Sequence, residues 1–388
     1  MEELNLSFFG FTSCKSYFCS MILRSLSLLN YKNISSADLS FSPMVNCFVG
    51  DNGMGKTNLL DAIYYLSFCK SARSSTDAAN AKHGEQAFML QGLYDDDAGG
   101  EDKITIGYQE GRRKQLRRNG KDVKRFAEHI GTIPLVMISP SDSELVTGGS
   151  DNRRRFMDTV IAQYDATYLE ALMRYEKTLR QRNTLLKKEE EPEADVISIL
   201  EDMMSRDAAI IYQRRKLFVD TFTAFFQSIY QQLCNNPEQV NIVYESHGSR
   251  GELKPLLEQY RSREHIVGYS LHGVHKDDLL LYINGYPVKQ EASQGQTKTY
   301  FIALKLAQYV YLRSKSSLRQ PLLLLDDIFD KLDTGRVEQI IRYAAEAHFG
   351  QIFITDTSRD RLHPILQLQQ EYKLFLVKNG EVYEAQEG

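Results

Sequence analysis

The segment Gly50-Asp51-Asn52-Gly53-Met54-Gly55-Lys56-Thr57 constrains this chain more than any other, because it matches G-x-x-x-x-G-K-[ST], a loop that joins a strand to a helix. The flanking sequence supplies both neighbours. Val45 to Val49 is a short apolar run, and Asn58 to Phe68 places Leu59, Ile63 and Leu66 at helical spacing. In such a loop the glycines let backbone N–H groups curl around phosphate oxygens, and the helix N-terminus adds positive potential. Lys56 is then expected to reach the β- and γ-phosphates, and the Thr57 hydroxyl to hold Mg²⁺. The expected ATP-binding set is Gly50, Asp51, Asn52, Gly53, Met54, Gly55, Lys56, Thr57 and Asn58, with ATP and Mg²⁺ as cofactors.

A second element carries the acids. Leu322 to Leu325 is wholly apolar and delivers Asp326 and Asp327 to its C-terminal end, where ligands gather in parallel α/β sheets. Asp326 is expected to hold Mg²⁺ and Asp327 to orient or deprotonate the attacking water, so Lys56, Asp326 and Asp327 form the expected catalytic set. Two acids closing a buried strand also fit a solvated turn; the phosphate loop is what favours the catalytic reading. The third element, Ser293-Gln294-Gly295-Gln296, precedes a helix and lies about thirty residues before the acidic strand. It resembles the ABC signature, whose serine hydroxyl and helix-end N–H groups suit a γ-phosphate presented by another subunit. Leu332-Asp333 stands in the D-loop position, and Thr355-Asp356 follows the last strand where a switch residue is kept.

The rest of the 388 residues reads as α/β. Strands are expected at Ile22 to Leu29, Ala37 to Phe41, Ala87 to Tyr94, Lys103 to Tyr108, Gln115 to Arg118 and Asp122 to Arg125, with Asn119-Gly120 as a hairpin turn, making a β-rich lobe. Pro134 to Ser139 follows as another strand. Asn152 to Lys188 has no Pro or Gly and predicts one long amphipathic helix of roughly 55 Å. Pro192 interrupts it, and Val196 to Cys234 resumes helical spacing, so the pair predicts a short antiparallel arm. Strands are expected again at Val240 to Glu245, Val267 to Leu271, Leu279 to Ile283, Pro321 to Leu325 and Gln351 to Thr355, with helices at Thr297 to Leu312 and Val337 to Ala347. The fold class is thus a P-loop ABC-type ATPase head, a β-rich lobe plus a RecA-like core, with an inserted α-helical lobe. Its parts are 1–20 as an N-terminal extension, 21–150 and 263–388 as the two pieces of the head, and 151–262 as the insertion.

Composition excludes several classes. No stretch reaches the 18 apolar residues of a spanning helix, so no membrane partner is expected. Five cysteines without CxxC spacing fit a reducing cytoplasm. Residues 1–20 carry Glu2 and Glu3 where a signal peptide has basic residues, which leaves Met21 as the expected functional start. The net charge of −4 conceals a basic run, RRKQLRRNGKDVKR at 112–125, with eight basic side chains against Asp122. Arg112, Arg113, Lys114, Arg117 and Arg118 are therefore DNA-binding candidates, although such runs are usually solvated surface. Arg153, Arg154 and Arg155 admit DNA phosphate, a subunit interface or solvent alike. His272, His275, Asp277 and Asp278 fit no closed zinc pattern, and a structural or interface role is expected for them.

These motifs resemble the RecF family of bacterial recombination mediators, from about Met21 to the C-terminus. Segments outside the ATP site share the likeness: ILRSLSLLNYKN, SPSDSELVTGGSDNRRRFMD at 139–158, GVHKDDL at 273–279 and ASQGQTKTYFIALKLAQ at 292–308. The resemblance implies an ATP-dependent homodimer on double-stranded DNA at gaps or single-strand junctions. It also implies slow, DNA-stimulated ATP hydrolysis, work with RecR and RecO in loading recombinase, and a cytoplasmic, nucleoid-associated place. Asp327 stands where many ABC ATPases have Glu, withdrawing the carboxylate by about 1.5 Å, and Thr355 and Asp356 replace the usual switch His. The alternatives are an ATP-gated structural clamp with negligible turnover and a transporter ATP-binding subunit.

Overall fold

The computed structural model describes residues 21–95, 100–234, 238–315, 320–328, 349–362 and 371–385. The expected N-terminal extension, the helix at Val337 to Ala347 and Asp333 lie outside them. In chain order the first elements are β1 (Ile22–Tyr31), β2 (Ile34–Ser40), β3 (Val45–Val49), α1 (Lys56–Phe68), β4 (Ala87–Asp95), β5 (Glu101–Gln109), β6 (Gln115–Arg118), β7 (Lys121–Asp122) and β8 (Leu135–Ile138). Then come α2 (Glu144–Thr147), α3 (Ser150–Ile161), α4 (Ala166–Leu186), α5 (Ala194–Leu233), β9 (Val240–Glu245) and α6 (Leu253–Val267). The described chain finishes with β10 (Asp278–Ile283), β11 (Tyr286–Pro287), α7 (Val288–Glu291), α8 (Gln294–Lys315), β12 (Leu322–Asp326), β13 (Ile352–Asp356), β14 (Tyr372–Lys378) and β15 (Glu381–Glu384).

The central sheet has the order β15-β14-β3-β13-β12-β8, and every pairing is parallel except the β14–β15 edge. Strands β3, β13, β12 and β8 are buried along their whole length, which explains why they read as continuous apolar runs rather than as alternating ones. Alternate residues serve opposite cores. Cys47, Val136, Leu323 and Ile354 pack toward the helical lobe, whereas Phe48, Leu135, Leu324 and Phe353 pack toward α1 and the β-rich lobe. That lobe is an antiparallel sheet of order β2-β1-β4-β5-β6-β7. Its expected hairpin at Asn119-Gly120 is present, with φ of 51° and 77° at the two residues. The strand expected through Arg125 stops at Asp122, because a 3-10 turn forms at Phe126–Glu128.

Three expectations need correction. The single helix over 152–188 is two, α3 and α4, because the Asp165 carboxylate accepts the Tyr168 N–H at 2.9 Å and starts a new helix. The strand expected at Val267 to Leu271 is instead the end of α6, closed by Gly268 at φ 77°. Residue 262, where the inserted lobe was expected to end, therefore lies inside that helix. The β14–β15 hairpin at the C-terminal edge is an addition that its Asn379-Gly380 turn should have signalled.

In the arm, α4 is about 32 Å long and α5 about 60 Å. Two buried arginines lock them to the rest. Arg182 bonds Glu201 at 2.8 Å, Glu264 at 2.5 Å and Ser270 at 2.7 Å, while Arg215 reaches Asp158, Asp277 and the Val274 carbonyl. Both guanidiniums are shielded from water, so neither could remain there without these acceptors.

Candidate functional site

The loop from Gly50 to Gly55 leaves β3 and opens α1, and its backbone needs glycine at three points. Gly53 and Gly55 have φ of 81° and 115°, and a Cβ on Gly50 would lie 2.2 Å from the Val377 carbonyl oxygen of β14. The N–H groups of Gly53, Gly55, Lys56 and Thr57 have no acceptor among the described residues. They converge at the N-terminus of a 13-residue helix, which is an anion cradle. Lys56 is buried and donates to the carbonyls of Gly50 at 2.8 Å and Asp51 at 3.0 Å, holding its charge over the loop.

At the end of β12, Asp326 is wholly buried and receives three donors: Thr57 at 2.8 Å and Thr355 at 2.9 Å on Oδ1, and Arg73 at 2.6 Å on Oδ2. The hydroxyl and carboxylate oxygens that a Mg²⁺ ion requires are thus already side by side, and the residues fit the ion. Asp327 sits at φ 47°, with its N–H bonded to the Thr355 hydroxyl at 3.0 Å. A pocket of about 230 Å³ is lined by Asn52, Gly53, Gly55, Lys56, Thr57, Asn58, Arg73 and Asp327. Thr355 is fully buried behind Asp326 and organises both acids; Asp356 accepts the Ser358 N–H at 2.7 Å.

Ser293 and Gln296 form a reciprocal cap on α8. The Gln296 N–H donates to the serine hydroxyl at 3.2 Å, and the Ser293 N–H donates to the glutamine side chain at 2.8 Å. The Gln296 amide also donates to Glu238 at 2.8 Å, tying this helix end to the segment after α5. Ser293 and Gln294 are exposed, and no residue of Ser293–Gln296 lines the nucleotide pocket of its own chain.

Arg73 was not foreseen, for it lies in a serine-rich loop with no motif around it. Asn33 was missed too. Its amide donates to the Met54 carbonyl at 3.1 Å and accepts from Asn58 at 2.7 Å, while the Gly380 N–H donates to the same carbonyl at 2.9 Å. Two tight turns, at Asn33 and at Asn379-Gly380, thus brace the phosphate loop from outside.

The basic run divides. Arg112, Arg113 and Arg117 are exposed, but Lys114 turns inward to cap α1, donating to the Cys69 carbonyl at 2.6 Å and pairing with Asp77 at 2.9 Å. Arg118 is engaged by Asp102. Arg153 pairs with Asp278 at 2.6 Å and Arg154 donates to the Asp277 carbonyl, leaving Arg155 without an ion pair among the described residues. His275 is half-buried between the Tyr175 hydroxyl at 2.8 Å and the Ser270 carbonyl at 3.1 Å, and desolvation pushes its pKa down to about 4. His272 contacts Glu264, and Asp277 is held by Arg215 and the Tyr244 hydroxyl. These four side chains therefore belong to separate structural contacts rather than to one centre.

Comparison with known proteins places the chain. Residues 22–382 match the model of the RecF/RecN/SMC N-terminal domain. A DNA replication and repair protein RecF of Phocaeicola vulgatus is 52% identical over 95% of this chain and 99% of its own, and one of Bacteroides thetaiotaomicron is 50% identical over 94% and 99%. The recombination mediator protein RecF solved with an ATP analogue superposes with a TM-score of 0.86 at 29% identity, covering 95% of this chain and 99% of that one. An Smc head domain from Pyrococcus furiosus, 16% identical with a TM-score of 0.56, shares the fold. The chain belongs to the RecF family, within the ABC/SMC-like ATPases.

Proposed function

We propose that this protein is an ATPase of DNA replication and recombinational repair that pairs with a second copy of itself around ATP while bound to DNA. The carrying observation is the exposed, capped Ser293 helix end, absent from its own chain's pocket, in a chain whose phosphate loop and acids stand assembled. Such a helix end is completed by a γ-phosphate held on another subunit. Lys56 turns from the Gly50 and Asp51 carbonyls to the β- and γ-phosphates. Thr57 and Asp326 would hold Mg²⁺, which would supply charge neutralisation at the phosphates. Asp327 orients the attacking water, and its short side chain supports slow turnover. Thr355 is read as the switch residue because it bonds both acids.

DNA is read as meeting Arg112, Arg113 and Arg117, with Lys114 and Arg118 assigned to structure. RecR and RecO-like proteins are the proposed partners at gapped DNA, in the cytoplasm and on the nucleoid. The test of the nucleotide site is calorimetry with ATP and Mg²⁺: the Lys56→Ala variant is expected to lose binding by at least a hundredfold. Retained affinity would show that the nucleotide sits elsewhere.

A further inference from the structure

The capped start of α8 is held from behind by a side chain that no motif announces. Glu238, half-buried two residues before β9, places its carboxylate between the end of α5 and the start of α8. Its Oε1 accepts the Gln296 amide at 2.8 Å, and its Oε2 accepts the Tyr230 hydroxyl at 2.5 Å and the Cys234 thiol at 3.7 Å. Tyr230 is wholly buried against Tyr300 of α8, with ring centroids 5.8 Å apart, so the carboxylate stands on a packed base.

These bonds have a sense as well as a length. A glutamine amide carries a donor edge and an acceptor edge, and left alone it can face either way. An ionised carboxylate only accepts, so Glu238 draws the Nε2 edge of Gln296 toward itself and leaves Oε1 for the Ser293 N–H. The Gln296 backbone N–H in turn donates to the Ser293 Oγ, so that oxygen serves as an acceptor inside the cap and its O–H is left to donate outside. The N–H groups of Gln294 and Gly295 take no acceptor among the described residues, so three donors open at one helix end. Turning Gln296 over would set its Nε2 against the Ser293 N–H, donor against donor, and open the cap.

From this arrangement we infer that Glu238 is a positioning residue for the signature. It fixes the Gln296 amide so that the Ser293 hydroxyl and the first N–H groups of α8 face a γ-phosphate held by a second copy. The inference rests on the reading of a nucleotide shared between two copies. Glu238 itself touches no phosphate and acts through Gln296.

The test is a series at position 238 in the full chain, Glu238→Gln, Glu238→Leu and Glu238→Lys, with dimer dissociation constants from sedimentation in a non-hydrolysable ATP analogue and Mg²⁺. Glutamine keeps an acceptor oxygen for Gln296 and is expected to stay within about threefold of the unchanged chain. Leucine offers no acceptor and lysine only donates, and each is expected to weaken the dimer by about tenfold or more, since one substitution counts twice in a twofold pair. Charge alone predicts the reverse for lysine, because it puts a positive group in place of a negative one near a phosphate. Calorimetry with the same analogue, at concentrations below dimerisation, is expected to leave affinity at each chain's own phosphate loop within about twofold. A leucine or lysine chain that dimerises as tightly as the unchanged one, or a glutamine chain that falls as far as leucine, would overturn the inference. Loss of the analogue from a variant's own loop would also overturn it, by making Glu238 a support of the whole fold. A dimer that forms in the unchanged chain but ignores position 238 sinks this inference alone; an unchanged chain that stays monomeric sinks the shared-nucleotide reading with it.

Discussion

At the scale of single residues, the chemistry is held by side chains whose partners lie far away in sequence. Thr57, Thr355 and Arg73 meet on Asp326 from three separate elements, so the carboxylate is positioned before any ligand arrives. His275 adds a pH dependence. Its folded pKa of about 4 lies below the unfolded value, so its neutral form stabilises the fold above pH 6.5. That stability declines as pH falls from about 6.5 toward 4, by on the order of 3 kcal/mol in full. Buried His129 is shifted down by the same cause and acts in the same direction. Urea melts at pH 7 and pH 5 are expected to show a smaller difference for His275→Asn than for the unchanged chain; an equal difference would mean that folding does not displace the His275 pKa from its unfolded value. The phosphate loop and both acids were legible in sequence because each is a local pattern with a local job. Arg73, Asn33 and the inward turn of Lys114 were not, since each depends on what the tertiary fold brings beside it.

Among the elements, the helical arm depends most on buried charge. Arg182 is enclosed by Glu201 and Glu264 and donates to Ser270, joining α4, α5, α6 and the loop after it. Removing one partner from a buried ion network strands the others, at about 3–5 kcal/mol. Arg182→Met is expected to destabilise the protein by that amount in denaturant melts, while ATP affinity at the distant phosphate loop stays within twofold. A loss below about 1 kcal/mol would mean that water reaches the network. The strands of the central sheet were readable because burial on both faces makes them uniformly apolar. The break between α3 and α4 was not, because one hydrogen bond from Asp165 overrides a helical pattern that carries on through it. The stretch around α6 misled for the related reason that Val267 to Leu271 is apolar enough for a strand, while Gly268 ends a helix there.

For the whole molecule, two surfaces matter: the Ser293 helix end and the exposed part of the basic run. Neutralising Arg112, Arg113 and Arg117 together is expected to weaken DNA binding and to lower the salt-dependence slope by about 2–3, at roughly 0.9 for each phosphate that is no longer neutralised. An unchanged slope would return this run to ordinary surface. The dimer is the larger claim, because a phosphate loop and a signature helix that serve different nucleotides have use only when two copies face each other. Sedimentation velocity with a non-hydrolysable ATP analogue tests it most directly, comparing the unchanged chain with Ser293→Arg. A dimer is expected for the first, and for the second a monomer that still binds the analogue. A Ser293→Arg chain that dimerises as well as the original would contradict a nucleotide shared between two copies.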